Sequence, residues 1–349
     1  MTNKADPDLN TPALIAEVLR EYGELTRDLV EQYLPTGSPR AYLYDMLADY
    51  PRRRGKMMRP SLCIATARAF GAPLDDALQS AVAIELLHNA LLIHDDIEDG
   101  SEERRGRATM HRLHGIPLAI NTGDTLILLS LQPLIDNIDR LGPRLAQGIL
   151  LDTQRMAWES AEGQALELGW RRDNAAGLSD GDYLTMVLKK TCWLATILPS
   201  RIGALIGTRD RIDLEPFIRF GFFLGAAFQI QDDLLNLVAD ERYGKERNGD
   251  LFEGKRTLML VHAHRHGTSD ERERIAAILS APREDKTPGQ VAWLRALMER
   301  LGSIEHARGI AHGLAGAALY EYDGIFGGLP DSRDKQFIRG LVTWVFERT

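Results

Sequence analysis

Residues 81–99 read AVAIELLHNALLIHDDIED. Apolar side chains recur at three- and four-residue intervals, which predicts a helix over 74–98 that is apolar around most of its circumference. It runs straight into Asp95, Asp96, Glu98 and Asp99. Carboxylates at the end of a hydrophobic helix need a cation or another compensating partner. Asp95 and Asp99 stand one turn apart on one face. A second stretch, Phe228-Gln229-Ile230-Gln231-Asp232-Asp233-Leu234-Leu235-Asn236, repeats the arrangement with an uncharged fifth residue. Two such clusters facing each other would make an oxygen-lined cage for Mg2+ and a phosphorylated substrate. The plainer reading of either cluster alone is a solvated helix end. The apolar approach Ala90-Leu91-Leu92-Ile93 speaks against it, as do the basic residues that follow both clusters.

Outward from these stretches the helical period recurs almost everywhere, over 11–34, 60–71, 117–136, 144–168, 180–207, 213–238, 256–266, 290–302, 304–320 and 332–348. Period-2 alternation is scarce. Gly100 to Gly106, Asp173 to Gly181 and Asp240 to Gly254 read as polar loops, and 280–290 as a flexible connection. None has the length or composition of an interdomain linker. The fold class expected is all-α: one domain over 1–349, with 1–35 a helical segment whose packing the pattern defines less well.

The chain has 349 residues, 44% of them hydrophobic, and a net charge of -8. That balance argues against a nucleic-acid binder but leaves an anionic substrate open, since metals bridge acid to phosphate. Cys63 and Cys192 are too few for a disulfide framework, which fits a reducing cytosol. The polar start MTNKADPDLNTP lacks the apolar core of a signal peptide. The apolar stretches are interrupted too early for a membrane span; residues 81–94 carry Glu85, His88 and Asn89.

The basic groups complete the pattern. Arg104-Arg105 follow the first cluster, with donors shaped for phosphate. Lys245 and Lys255 follow the second. Upstream lies Arg52-Arg53-Arg54-Gly55-Lys56-Met57-Met58-Arg59-Pro60, where Lys56 and Arg59 precede or open a helix whose N-terminal field favours an anion. A solvated basic turn is the bland alternative.

The spaced set GKxxRP, DDxxD…RRG, KT, QxxDDxxN and DLxEGK resembles the trans-isoprenyl diphosphate synthases of the polyprenyl synthetase family, and among them the geranylgeranyl diphosphate synthases. The resemblance runs from about Tyr42 to Thr349. It implies an isoprenoid-synthase-type helical bundle around a deep central cavity, and a prenyltransferase that condenses isopentenyl diphosphate with an allylic diphosphate. By resemblance Lys56, Arg59, His88 and Arg105 hold isopentenyl diphosphate. Arg104, Lys190, Lys245 and Lys255 grip the allylic diphosphate. Asp95, Asp99 and Asp232 are metal ligands, supported by Asp96, Asp233 and Asn236, for about three Mg2+ ions per site. Thr191 and Gln229, with Lys190, lie near the reacting carbons. The resemblance also implies a cytoplasmic homodimer.

Product length is then a matter of pocket depth. Ala90 and Leu91 stand one turn above the acids, with Leu87 and Ile84 deeper. The absence of a bulky aromatic there points to growth past 15 carbons, to a 20-carbon product. Trp193 either reshapes the cavity or packs in the core. Two rivals share the framework: a terpene cyclase, which needs the acids but not the isopentenyl pocket, and a silent partner subunit.

Overall fold

The computed structural model describes residues 11–53, 55–238 and 248–347. Sixteen α-helices are found among these residues. The first eight are α1 Thr11–Tyr33, α2 Asp45–Arg52, α3 Met58–Ala69, α4 Leu74–Glu98, α5 Met110–His114, α6 Ile116–Leu141, α7 Pro143–Arg172 and α8 Asp180–Val187. They continue as α9 Leu198–Thr208, α10 Glu215–Val238, α11 Gly249–Glu253, α12 Leu258–His266, α13 Ser269–Ser280, α14 Pro288–Arg300, α15 Ser303–Phe326 and α16 Arg333–Glu347. A π-helical segment, Leu188–Ile197, joins α8 to α9. The all-helical expectation holds.

The differences are local. Gly100 to Gly106 is not wholly loop: β1 Glu103–Arg104 pairs antiparallel with β2 Arg107–Ala108. Helix α13 falls in a stretch without a helical reading because charged residues fill its first turns. Its start is nonetheless written in the sequence: Thr268 and Glu271 form a reciprocal capping box. Short helices α2, α5 and α11 also lack enough turns to show a period.

Helix α4 is the axis. It is buried on nearly all sides, which is why its sequence carries no strong polar face. Ala83, Ile84 and Leu87 join the main core with α3, α9 and α10. Val82, Leu86, Ala90 and Ile93 join a second core with α2 and α6. Helix α10 crosses the main core through Phe217, Phe220, Leu224, Ala227, Ile230 and Leu234. These two apolar helices therefore deliver the two acidic clusters.

The N-terminal segment is fastened more firmly than its pattern suggests. Buried Tyr22 on α1 donates to Asp334 on α16, which also accepts Arg68 Nε at 2.9 Å. Arg333 adds ion pairs to Glu17 at 2.9 Å and Glu21 at 2.7 Å. By length and hydropathy alone, α4 and α6 reach what a membrane span needs, contrary to the reading of interrupted apolar runs. In the fold α4 is a core helix. Helix α6 instead leaves Leu128, Leu131, Ile135 and Ile138 exposed, beside Leu151 and Trp158 of α7.

Candidate active site

Asp95 lies at the C-terminal end of α4 with Lys190 Nζ 3.1 Å away and Arg104 at 3.7 Å. Burial alone would raise its carboxyl, but Lys190, Lys255 and Arg104 hold it well below the usual carboxylate range. Asp99, one turn on, is buried and pairs with Arg171 at 2.5 Å and Lys255 at 2.7 Å. Asp96 points the other way. It is buried, takes Arg104 Nε at 2.9 Å on one oxygen and Tyr50 Oη at 2.5 Å on the other. Asp95 and Asp99 thus face Lys190 and Lys255 while Asp96 anchors the hairpin through Arg104.

Lys190 and Thr191 sit in the π-helical segment, where the wider turn alters the direction of successive side chains. Gly163 on α7 lets that segment approach: a Cβ there would stand 2.2 Å from Lys190 N. Lys190 also pairs with buried Glu167. Thr191 Oγ1 donates to Gln229 Oε1 at 3.1 Å, and Gln229 Nε2 donates to Asp233 Oδ1 at 2.7 Å. Tyr183 Oη donates to the other Asp233 oxygen at 2.8 Å. Even so, burial and the nearby Asp250 charge push the Asp233 carboxyl up to about 8. An acid so placed is relieved by a bound cation. Asn236 Oδ1 accepts the Asp250 N–H at 3.2 Å, which spends that oxygen on the returning chain.

Lys255 joins the two halves: it reaches Asp99, Glu253 Oε2 at 2.8 Å and Asp250 at 3.8 Å. Lys245 lies outside the described residues.

The upstream basic group assembles beside this cage. Arg59 Nη1 lies 3.4 Å from His88 Nε2. Burial, then the Arg59, Arg105 and Arg104 charges, lowers the His88 pKa well below its ordinary value, so the ring is neutral and accepts. Burial pushes the Arg59 guanidinium down to about 10. Arg105 adopts a left-handed φ of 55° and packs its guanidinium against Gly55, next to Lys56. Lys56 Nζ lies 5.5 Å over the Trp344 ring.

Among the chain-length positions, Leu91 and Leu87 face the main core, whereas Ala90 faces α6 in the second. Trp193 is buried beneath the Arg155 guanidinium of α7, 4.7 Å from its ring centre, in the manner of a core residue. Tyr50, Glu167, Arg171 and Tyr183 make contacts to which the sequence assigns no role, whereas Glu253 belongs to the DLxEGK motif. Glu167 and Arg171 lie in the EGQALELGWRRDN stretch, where charged residues on a helix that turns a face inward were the available signal.

Residues 40–298 match the Polyprenyl synthetase family. The chain belongs to the polyprenyl synthetase family. It is a trans-prenyltransferase. A short chain isoprenyl diphosphate synthase from Methanothermobacter thermautotrophicus is 33% identical over 85% of this chain and 88% of its own length. The geranylgeranyl pyrophosphate synthetase of Pyrococcus horikoshii superposes with a TM-score of 0.84 at 29% identity, covering 97% of this chain and 99% of that one. A Caulobacter crescentus polyprenyl synthase, crystallised with calcium and isoprenyl diphosphate, superposes at 0.83 with 25% identity over 96% and 97%. Relatives include geranylgeranyl, geranylfarnesyl and octaprenyl synthases, so membership leaves product length open.

In this polyprenyl synthetase the donor set fits a hard divalent cation. Among the described residues no three acidic or imidazole side chains converge on one point. Carboxylates from two helices would leave the remaining positions to water and diphosphate oxygens, the usual way a protein holds Mg2+. Asp95 pairs with Lys190 and Arg104, and Asp99 with Arg171 and Lys255.

Proposed function

We propose that the protein catalyses Mg2+-dependent condensation of isopentenyl diphosphate with an allylic diphosphate, giving all-trans geranylgeranyl diphosphate, the 20-carbon product. The chain acts as one polyprenyl synthetase domain in a cytoplasmic homodimer. The apolar stripe of α6 and α7 supports a second copy as its cover.

The observation that carries elongation over cyclisation is the Arg59–His88 contact, with Arg105 beside it, next to the acidic cage. A cyclase has no use for a second anion pocket. Arg104, Lys190 and Lys255, joined by Lys245, grip the allylic diphosphate. Lys56, Arg59, His88 and Arg105 hold isopentenyl diphosphate so that its double bond meets the allylic carbon. Bound Mg2+, about three ions by resemblance, supplies charge neutralisation to the leaving group, with Asp95, Asp99 and Asp232 as ligands and Asp96, Asp233 and Asn236 in support. The allylic C–O bond breaks, the double bond attacks the cation, and a proton passes to the departing diphosphate. The chain's own cations stabilise charge as it develops on that leaving group. Apolar residues of α4 and α10 keep out water that would quench the cation. Leu91 and Leu87 set the depth available to the growing chain, while Ala90 faces α6.

Diphosphate release measured with the allylic substrate alone, and then with isopentenyl diphosphate added, tests the choice. The expected result is release that requires both substrates. Rapid release from the allylic substrate alone, with a cyclic hydrocarbon formed, would establish the cyclase.

A further inference from the structure

Helix α2 supplies a support for the site. Tyr50, 1% exposed, donates its phenol to Asp96 Oδ2 and accepts the Met110 N–H at 3.2 Å. Asp96, with no exposed surface, uses its other oxygen for both Nε and Nη2 of Arg104. Arg53 lies 4.4 Å over the Tyr50 ring and is pinned by Asp49 Oδ2 at 2.9 Å. From there it donates to the carbonyls of Arg104 at 3.1 Å, Arg107 at 3.5 Å and Ala108 at 2.8 Å. The Tyr50 carbonyl accepts Arg105 Nη1 at 3.3 Å. The hairpin that carries Arg104 and Arg105 is therefore held from below by one short helix, through backbone and side chains together.

We propose that Tyr50 is a positioning residue, fixing Asp96 and through it the Arg104 guanidinium in the orientation that meets the allylic diphosphate. This rests on the functional reading above. A buried carboxylate keeps its oxygens satisfied. With Tyr50 holding one oxygen, Asp96 receives both Arg104 Nε and Nη2 on the other, which keeps Nη2 on the Asp95 side, 3.7 Å from Asp95 Oδ2, and leaves Nη1 outside the pair. Without the phenol, Asp96 is free to rotate and take Arg104 in a two-oxygen grip, the stronger geometry for this pair. That grip would move Nη2 onto the second Asp96 oxygen, away from the Asp95 side where phosphate oxygens would meet it. Arg105 would be spared, because its tie to position 50 is through the backbone carbonyl.

The test is Tyr50→Phe in the full chain, which removes one oxygen and keeps the ring under Arg53. Calorimetry with inorganic diphosphate, with and without Mg2+, reads the metal-dependent anion site without turnover. The expected result is metal-dependent binding weaker by about tenfold, the scale of one hydrogen bond to a charged group. The melting temperature should stay within about 2 °C of wild type. In turnover, KM for the allylic substrate should rise by a similar factor while KM for isopentenyl diphosphate stays put. Paired with Asp96→Asn, the effects should be non-additive, because Tyr50 acts only through Asp96. Unchanged diphosphate binding, additive effects, or an equal loss for both substrates tracking a lowered melting temperature would overturn the proposal. A wild-type protein that binds no diphosphate with Mg2+ would instead overturn the functional reading beneath it.

Discussion

Lys255 Nζ lies 2.7 Å from Asp99 Oδ2, so a cation that follows the second acidic cluster in sequence closes on the first. The carboxylates of Asp99 and Glu253 raise the Lys255 pKa well above its ordinary value despite burial, so it stays charged through the whole working range. Lys255→Ala should lower turnover about 10²-fold, the usual cost of removing a preorganised donor to developing charge. It should also destabilise the metal-free protein by about 3 kcal/mol, since it uncovers buried acids. Steady-state rates with Mg2+ and thermal melts in a chelator check the two effects separately. Wild-type values in both would show that the bridge contributes nothing.

The α1–α16 tie predicts a stability effect without a catalytic one. Tyr22→Phe deletes the donor to Asp334 and leaves that acid with Arg68. The expected loss is about 1–2 kcal/mol, seen as a melting temperature lower by about 2–4 °C. The KM values should not move. An unchanged melt would mean that α1 adds little to the fold.

Product length should respond to Leu91, which faces the main core a turn above Asp95. Leu91→Phe should shift the product from 20 to 15 carbons, read by chromatography of the dephosphorylated alcohols, with the rate of the first condensation kept within about threefold. Since Ala90 faces α6, Ala90→Phe should instead disturb the second core and lower the melting temperature. A 20-carbon product from the Leu91 variant would place the floor elsewhere.

Lys286 gives a pH signature. Burial, then the charges of Arg171, Arg256 and Arg283, pushes its ammonium down to about 8 from an ordinary 10.5. Between those values the unfolded chain binds a proton that the folded chain does not, so stability contributed by this group rises with pH across the window. From pH 7.5 to 9.5, wild type should gain about 2 °C in melting temperature relative to Lys286→Met. A constant difference would contradict the depressed pKa.

The sequence carries the fold through its periodic segments. Helix α4 was legible to the residue, from Leu74 to Glu98, because it is long and apolar. Helix α2, eight residues with a proline at position 51, has too few turns to show a period, so Tyr50 and its support of Asp96 stayed hidden. The site residues that resemblance supplied share short motifs. Those it did not, such as Tyr183 against Asp233 and Arg171 against Asp99, are fixed by tertiary approach across 50 and 72 residues of chain. No local rule joins such pairs. The hairpin at Glu103–Ala108 reads as loop in the sequence because two-residue strands are too short to alternate.

Elongation by isopentenyl units is the activity that the site is built for. The protein should be incubated with Mg2+, farnesyl diphosphate and isopentenyl diphosphate, and the dephosphorylated products identified by mass. The predicted result is a linear 20-carbon prenyl alcohol, lost when Asp95 is replaced by Ala. Absence of any elongated alcohol, from this or any shorter allylic primer, would contradict it.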